Sequence, residues 1–140
     1  MIFKEWILIY ILVAGSRNYY NYSEFKNVMD YTNNKYHITE IISGGARGAD
    51  SLAERYAKEN NIPIKVFPAN WDMYGKTAGF IRNTEMHNYL KNFKDRMCIC
   101  FWDGQSHGTV HNFKLCKNNN TKLVCYNFKL HKVVEVLEWK

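Results

Sequence analysis

Ile38-Thr39-Glu40-Ile41-Ile42-Ser43, then Gly44-Gly45-Ala46-Arg47-Gly48, then Ala49-Asp50-Ser51-Leu52-Ala53-Glu54-Arg55-Tyr56-Ala57 is the stretch on which the fold turns. Its first part is a short apolar run rich in isoleucine, the composition of a buried strand. In its last part Ala49, Leu52, Ala53, Tyr56 and Ala57 fall at i, i+3, i+4, i+7 and i+8, one face of a helix. Asn60-Asn61 and Pro63 stop that helix. Between strand and helix lies a glycine-rich turn.

The same alternation runs outward in both directions. Upstream, Ile7 to Ala14 is a continuous strand-like run ending in Gly15. Ser23 to Lys35 carries Phe25, Val28, Met29 and Tyr31 and reads as a helix with Ser23 as its N-cap. Downstream come a strand Ile64 to Phe67, a long helix Thr77 to Phe93, a strand Met97 to Trp102, a helix Gly108 to Lys117 and a strand Leu123 to Tyr126. The tail repeats the helical period with Leu130, Val133, Val134 and Leu137, although its valines leave a strand open. Apolar strands joined by helical crossovers predict a parallel sheet covered on both faces. The expected fold is α/β: a three-layer Rossmann-like arrangement with a parallel sheet of about five strands flanked by helices. The chain reads as one domain over 1–140, with residues 1–8 as an N-terminal extension and 127–140 as a C-terminal tail element.

The 140 residues include 46% hydrophobic and 16% aromatic residues, enough for a packed core and too many for a disordered chain. A net charge of +6 favours anionic partners without distinguishing nucleic acid from a phosphorylated small molecule. The longest apolar run, Trp6 to Ala14, is far shorter than the ~20 residues of a membrane span. No membrane association and a cytoplasmic setting are expected. Cys98, Cys100, Cys116 and Cys125 form neither a paired zinc pattern nor a disulfide framework, so they read as core thiols. His107 and His111 are four apart, but no third ligand accompanies them, and no metal is expected.

In a sheet of this kind ligands bind beyond the C-terminal strand ends, where strand order reverses. The residues just after each strand are therefore the candidates. After the first strand stand Gly15, Ser16 and Arg17: a tight turn, a hydroxyl and a planar cation suited to phosphate. After the second stand Ser43, Gly44, Gly45, Arg47, Gly48 and Asp50, a glycine-rich turn leading into a helix N-terminus, where amides and the helix dipole attract anions. After the fourth stand Asp103, Gly104, Ser106, Gly108 and Thr109, a second such turn. Asp103 suits a ribose hydroxyl or an Asx-type turn equally well. If the first and fourth strands are neighbours, both turns open on one crevice. Arg82 and Asn83 share a helix face with Gly79 and Met86 and could reach that crevice; Trp71 and Tyr74 are candidates to stack on a base. Gly75-Lys76-Thr77 is not a P-loop, because Asn70 stands where that motif needs glycine and no strand precedes it.

Taken together, Gly15–Arg17, Gly44–Asp50, the Phe67–Met86 block and Phe101–Thr109 resemble the YspA-like, YpsA-related branch of the SLOG superfamily. The resemblance implies a Rossmann-like fold that binds nucleotides or nucleotide-derived ligands such as ADP-ribose, in bacteria and phages, near nucleotide-signal defence systems. Related branches include cytokinin-activating nucleotide phosphoribohydrolases and the DNA-processing protein A family. The phosphoribohydrolases carry a catalytic glutamate just after a Gly-Thr pair. Here Val110, His111 and Asn112 follow Thr109, with no carboxylate among them.

Three functions follow as expectations. The first is a binding protein that senses or sequesters a nucleotide-derived ligand (ADP-ribose-like or a cyclic-nucleotide signal), with no other cofactor. The second is a nucleotide or ADP-ribose hydrolase with Asp103 or Glu85 as catalytic base. The third is a DNA-binding module, disfavoured because the lysines are scattered and the arginines sit in the motifs. A homo-oligomer is expected from the tail and the aromatics. Arg82 is expected to act as a ligand-binding arm whose removal leaves the melting temperature near wild type.

Overall fold

A computed structural model describes residues 7–138. Six strands form one sheet: β1 (Leu8–Gly15), β2 (His37–Ser43), β3 (Ile64–Val66), β4 (Arg96–Trp102), β5 (Lys122–Asn127) and β6 (Lys132–Leu137), in the order β3-β2-β1-β4-β5-β6. β1 to β5 pair in parallel, and β6 is antiparallel to β5. The helices are α1 (Tyr22–Lys35), α2 (Ala49–Glu59), α3 (Trp71–Tyr74), α4 (Ala78–Leu90) and α5 (His107–Asn118). None is long and apolar enough to cross a membrane.

Alternation along the central strands divides the core in two. Ile11 and Val13 of β1 and Met97, Ile99 and Phe101 of β4 face α1 and α2, where they meet Phe25, Met29, Leu52 and Tyr56. Leu12 and Ala14 of β1 and Cys98 and Cys100 of β4 face the other way, toward Met86 and Leu90 of α4 and Cys116 of α5. All four cysteines are buried and free.

The sheet has the expected five parallel strands, and the tail adds a sixth, antiparallel one. The structure corrects the sequence reading in three places. The tail is β6, not a helix: β-branched Val133, Val134 and Val136 suit an extended edge. Its hairpin is set by Asn127, whose Oδ1 accepts from the amides of Lys129 (2.9 Å) and Leu130 (3.1 Å), and by His131 at φ 56°. Asn21, not Ser23, caps α1, accepting from the Glu24 amide at 3.1 Å. The long helix begins at Ala78 after the separate turn α3 and a 3-10 turn at Gly75–Thr77, and it ends at Leu90. Most of the proposed N-terminal extension, residues 1–6, lies outside the described residues.

Candidate functional site

The strand order reverses between β1 and β4, so the loops after these two strands cannot both turn the same way. They part and leave a cavity of about 370 Å³ at their C-terminal ends. From the β1 loop it is lined by Gly15, Ser16, Arg17 and Asn18, and from the β2 loop by Ala46 and Asp50. Trp71, Lys76, Gly79, Phe80, Arg82, Asn83 and Met86 form one wall. Asp103, Ser106, Gly108, Thr109 and Asn112 form the other. An adjoining cavity of about 350 Å³ shares Arg17, Ala46, Trp71 and Arg82 and adds Gly44, Gly45, Arg47, Pro68 and Ala69. The Arg17 guanidinium lies 5.2 Å from the centre of the Trp71 ring, at the boundary between the two chambers.

The two glycine-rich turns are built differently. In the β2 loop the amides of Gly45, Ala46 and Ala49 are taken internally. They donate to Ser43 Oγ (3.2 Å), Asp50 Oδ2 (3.1 Å) and Ser16 O (3.1 Å). Gly48 stands at φ +78°, and a Cβ there would run into the Ser16 carbonyl and Arg17 backbone, so glycine lets α2 tuck under the β1 loop. Gly44 leaves room for Arg82, whose Nη1 donates to the Gly44 carbonyl while Nε donates to Asn83 Oδ1 at 3.1 Å. Arg82 is thus bonded into the framework as well as facing the cavity. Its removal would orphan a buried carbonyl, so a melting temperature near wild type is no longer the expected outcome. In the β4 loop Asp103 Oδ1 accepts from Gln105 and Ser106 amides, both at 2.9 Å, which is the Asx-turn arrangement. Ser106 supplies no side-chain cap to α5. The first-turn amides of His107, Gly108 and Thr109 have no acceptor within their own helix. This turn therefore offers the cavity an open helix N-terminus.

Two carboxyls line the cavity and are pushed opposite ways. Burial raises Asp50 to about 6, despite the Ala46 amide and Arg82 beside it. Asp103 also pays a burial penalty, but the Gln105 and Ser106 amides outweigh it and hold the carboxyl below its ordinary range. Burial lowers Arg82, and Asp50 opposes that shift.

Several sequence candidates do not reach the main cavity. Gly44, Gly45 and Arg47 line only the adjoining chamber. Ser43, Gly48, Gly104 and Tyr74 line neither and serve the loops or stand at the surface. Glu85 is exposed on α4, away from the face that carries Arg82, Asn83 and Met86, and lines neither chamber. His107 and His111 do not act together: His111 Nδ1 lies 3.4 Å from Asn83 Nδ2 and its ring packs on Phe80. Sequence reading missed Asn18, Lys76 and Asn112 as lining residues. The spacing of Asn112 from Gly108 and Thr109 on α5 was a usable signal.

Residues 9–74 match the model of the YAcAr family, described as the YspA, cpYpsA-related SLOG family. The Gene 61 protein of Mycobacterium phage D29 is 33% identical over 110 residues, 72% of this chain and 82% of that protein. The chain belongs to the YspA, cpYpsA-related SLOG family. The family model spans β1 to α3, so the α4 wall and the β4 loop of this SLOG protein lie beyond it. Among solved structures, DNA processing protein A from Streptococcus pneumoniae superposes with a TM-score of 0.65 at 16% identity, over 85% of this chain. Phosphoribosylglycinamide formyltransferase from Coxiella burnetii does so at 0.52 and 11% identity, over 86% of this chain. The chain spans about half the length of each. At these identities the likeness concerns the Rossmann-like fold.

Proposed function

We propose that this SLOG protein binds a nucleotide-derived small molecule whose diphosphate lies between Arg17, Lys76 and the N-terminus of α5. The observation that carries the reading is the paired cavity. Two chambers of about 370 and 350 Å³ share Arg17, Ala46, Trp71 and Arg82, a shape suited to an elongated ligand with groups at both ends. The open α5 amides and the cations supply attraction for the phosphates. Trp71 offers a face for a base, and the second oxygen of Asp103 suits a ribose hydroxyl. An ADP-ribose-like molecule fits this description; a cyclic-nucleotide signal would set its phosphodiester where the diphosphate lies. A relative encoded by a phage supports a role as a sensor or sink for such a signal in anti-phage defence or counter-defence.

A second reading has one specific observation behind it. Asp50 and Asp103 line the same cavity with their proton affinities pushed apart, the arrangement by which a site acquires an acid and a base. Hydrolysis of the ligand's N-glycosidic bond is the chemistry it would serve.

Calorimetry with ADP-ribose, AMP and cyclic nucleotides tests both readings when the recovered ligand is chromatographed. Arg17 is exposed, with its guanidinium 5.2 Å from the centre of the Trp71 ring, so Arg17→Ala should leave the melting temperature nearly unchanged. Loss of a charged hydrogen bond, about 1.5–3 kcal/mol, should weaken binding roughly ten- to a hundredfold. Undiminished affinity in Arg17→Ala, or no binding to any of the panel, overturns the proposal. Cleaved product establishes the second reading, and intact ligand removes it.

A further inference from the structure

Beneath the cavity, and separate from the ligand just proposed, lies a cluster that the binding site does not use. His87 of α4, Cys98 of β4 and Cys116 of α5 converge from three elements. A ring nitrogen of His87 and the two Sγ atoms all lie within 4.8 Å of one another. The three residues are 1%, 0% and 0% exposed. Among the described residues this is the one group of His, Cys, Asp or Glu side chains gathered closely enough to hold a metal ion.

The histidine is set in the form that binds metal. Its Nε2 lies 3.0 Å from Asn112 Oδ1, and Asn112 Nδ2 donates to the Gly108 carbonyl at 3.2 Å. That second bond fixes the amide with its oxygen toward the ring, so Nε2 carries the proton and donates. Nδ1 is then a bare lone pair, and it is buried with no hydrogen-bond partner. An unpartnered buried acceptor is unfavourable unless something fills the place. Histidines that ligate metals through one nitrogen donate from the other to an oxygen, as here. Cys100 Sγ lies 3.7 Å from Cys98 Sγ but is not among the three mutually close ligand atoms. With three protein ligands, the fourth position of a tetrahedral ion is left to a small neutral ligand such as water.

We infer that His87, Cys98 and Cys116 form a buried site for a thiophilic divalent cation of the zinc class. Binding converts two thiols to thiolates and releases two protons to solvent. The cation's two charges are then cancelled by the two thiolates, and the buried assembly is neutral, as a low-dielectric core requires. Asn112 lines the ligand cavity, so the imidazole of the metal site is oriented by a residue of the binding site. With no exposed ligand, the ion enters as the chain folds. The site needs no nucleotide, and its failure would leave the proposed function untouched.

The test is expression in minimal medium supplemented with cobalt, followed by metal analysis and absorption spectroscopy of the reduced, folded protein. The expected result is stoichiometric cobalt, a thiolate-to-cobalt charge-transfer band in the near ultraviolet and the intense visible bands of tetrahedral cobalt. Cys125→Ala, outside the cluster, should keep all three signals; Cys116→Ala and His87→Gln should lose the metal. Wild-type protein without cobalt, or with cobalt but no charge-transfer band, shows packed thiols only and overturns the inference. So does a folded Cys116→Ala variant with an unchanged spectrum. The wild-type spectrum decides the matter even if a variant fails to fold.

Discussion

The two faces of the sheet are packed with different chemistry. Under α1 and α2 the core is aromatic: the Phe101 ring stacks on Tyr19 at 5.4 Å and lies tilted 4.6 Å from Phe25 and 6.0 Å from Tyr126. Under α4 and α5 it is small and rich in sulfur, with Cys98, Cys100, Cys116 and Cys125 around Met86 and Leu90. That second face also carries buried polar groups, Arg82, Asn83, His87 and Asn112. Both come from the same strands, residue by alternate residue. The aromatic face buries large rings and so supplies most of the hydrophobic driving force. The sulfur face gives up volume, and with it stability, to accommodate polar side chains that form the cavity wall. Stability and binding are thus divided between the two sides of one sheet.

The largest expected effect tests that division directly. Phe101 is fully buried among rings, so Phe101→Ala should cost about 3–5 kcal/mol. Cys125, equally buried on the opposite face, loses only one small group in Cys125→Ala, about 1 kcal/mol. Urea denaturation of both variants measures the difference. Equal losses would break the comparison.

The same two faces differ in how well the sequence shows them. The aromatic side was legible because its signals are local. Ala49, Leu52, Ala53 and Tyr56 mark the buried face of α2 by spacing alone, and the strand–turn–helix unit sets the parallel sheet. The position of the cavity was legible as well, since it follows from which strand ends carry glycine-rich turns. What the sequence hid is long-range. His87, Cys98 and Cys116 lie on three elements that meet only when α4 and α5 dock side by side, so no spacing rule connects them. The inward bonding of Arg82 depends on the missing Cβ of Gly44, on another loop. The tail misled because Leu130, Val133, Val134 and Leu137 fit a helical period. An asparagine-set hairpin and pairing with β5 decided it otherwise.

A change at the cavity mouth should show the reverse of Phe101. Trp71 is 47% exposed and packs on Arg17 and near Gly79. Stacking of a base on an aromatic side chain contributes about 1–3 kcal/mol. Trp71→Ala should therefore weaken adenine-nucleotide binding by roughly ten- to a hundredfold, while stability moves by less than about 0.5 kcal/mol. Calorimetry and thermal melting of one preparation give both numbers. A large stability loss would make Trp71 a packing residue and move the base elsewhere.

The smallest effect lies where the two faces meet, at Asp50. This side chain begins α2 on the aromatic side yet lines the cavity, with Arg82 of α4, Arg17 of the β1 loop and Glu54 of its own helix acting on it. Burial raises it to about 6, from an ordinary 3.8. The folded protein therefore holds the proton more tightly than the unfolded chain. Asp50's contribution to stability is full below about pH 4 and is lost as pH rises through about 6. The same proton matters for ligands. Above pH 6 the carboxylate offsets the cavity's cations; below it that offset disappears and an anion is held more firmly. ADP-ribose is the suitable probe, because its diphosphate is doubly esterified and keeps its charge across this range, unlike a phosphate monoester titrating near pH 6. Its affinity should rise about fivefold, about 1 kcal/mol, as pH falls from 7.5 to 5. Asp50→Asn keeps an acceptor for the Ala46 amide but cannot ionise, so its affinity should be high and flat with pH. A wild-type affinity that is flat or falls on acidification would place the phosphates out of reach of the Asp50 carboxylate.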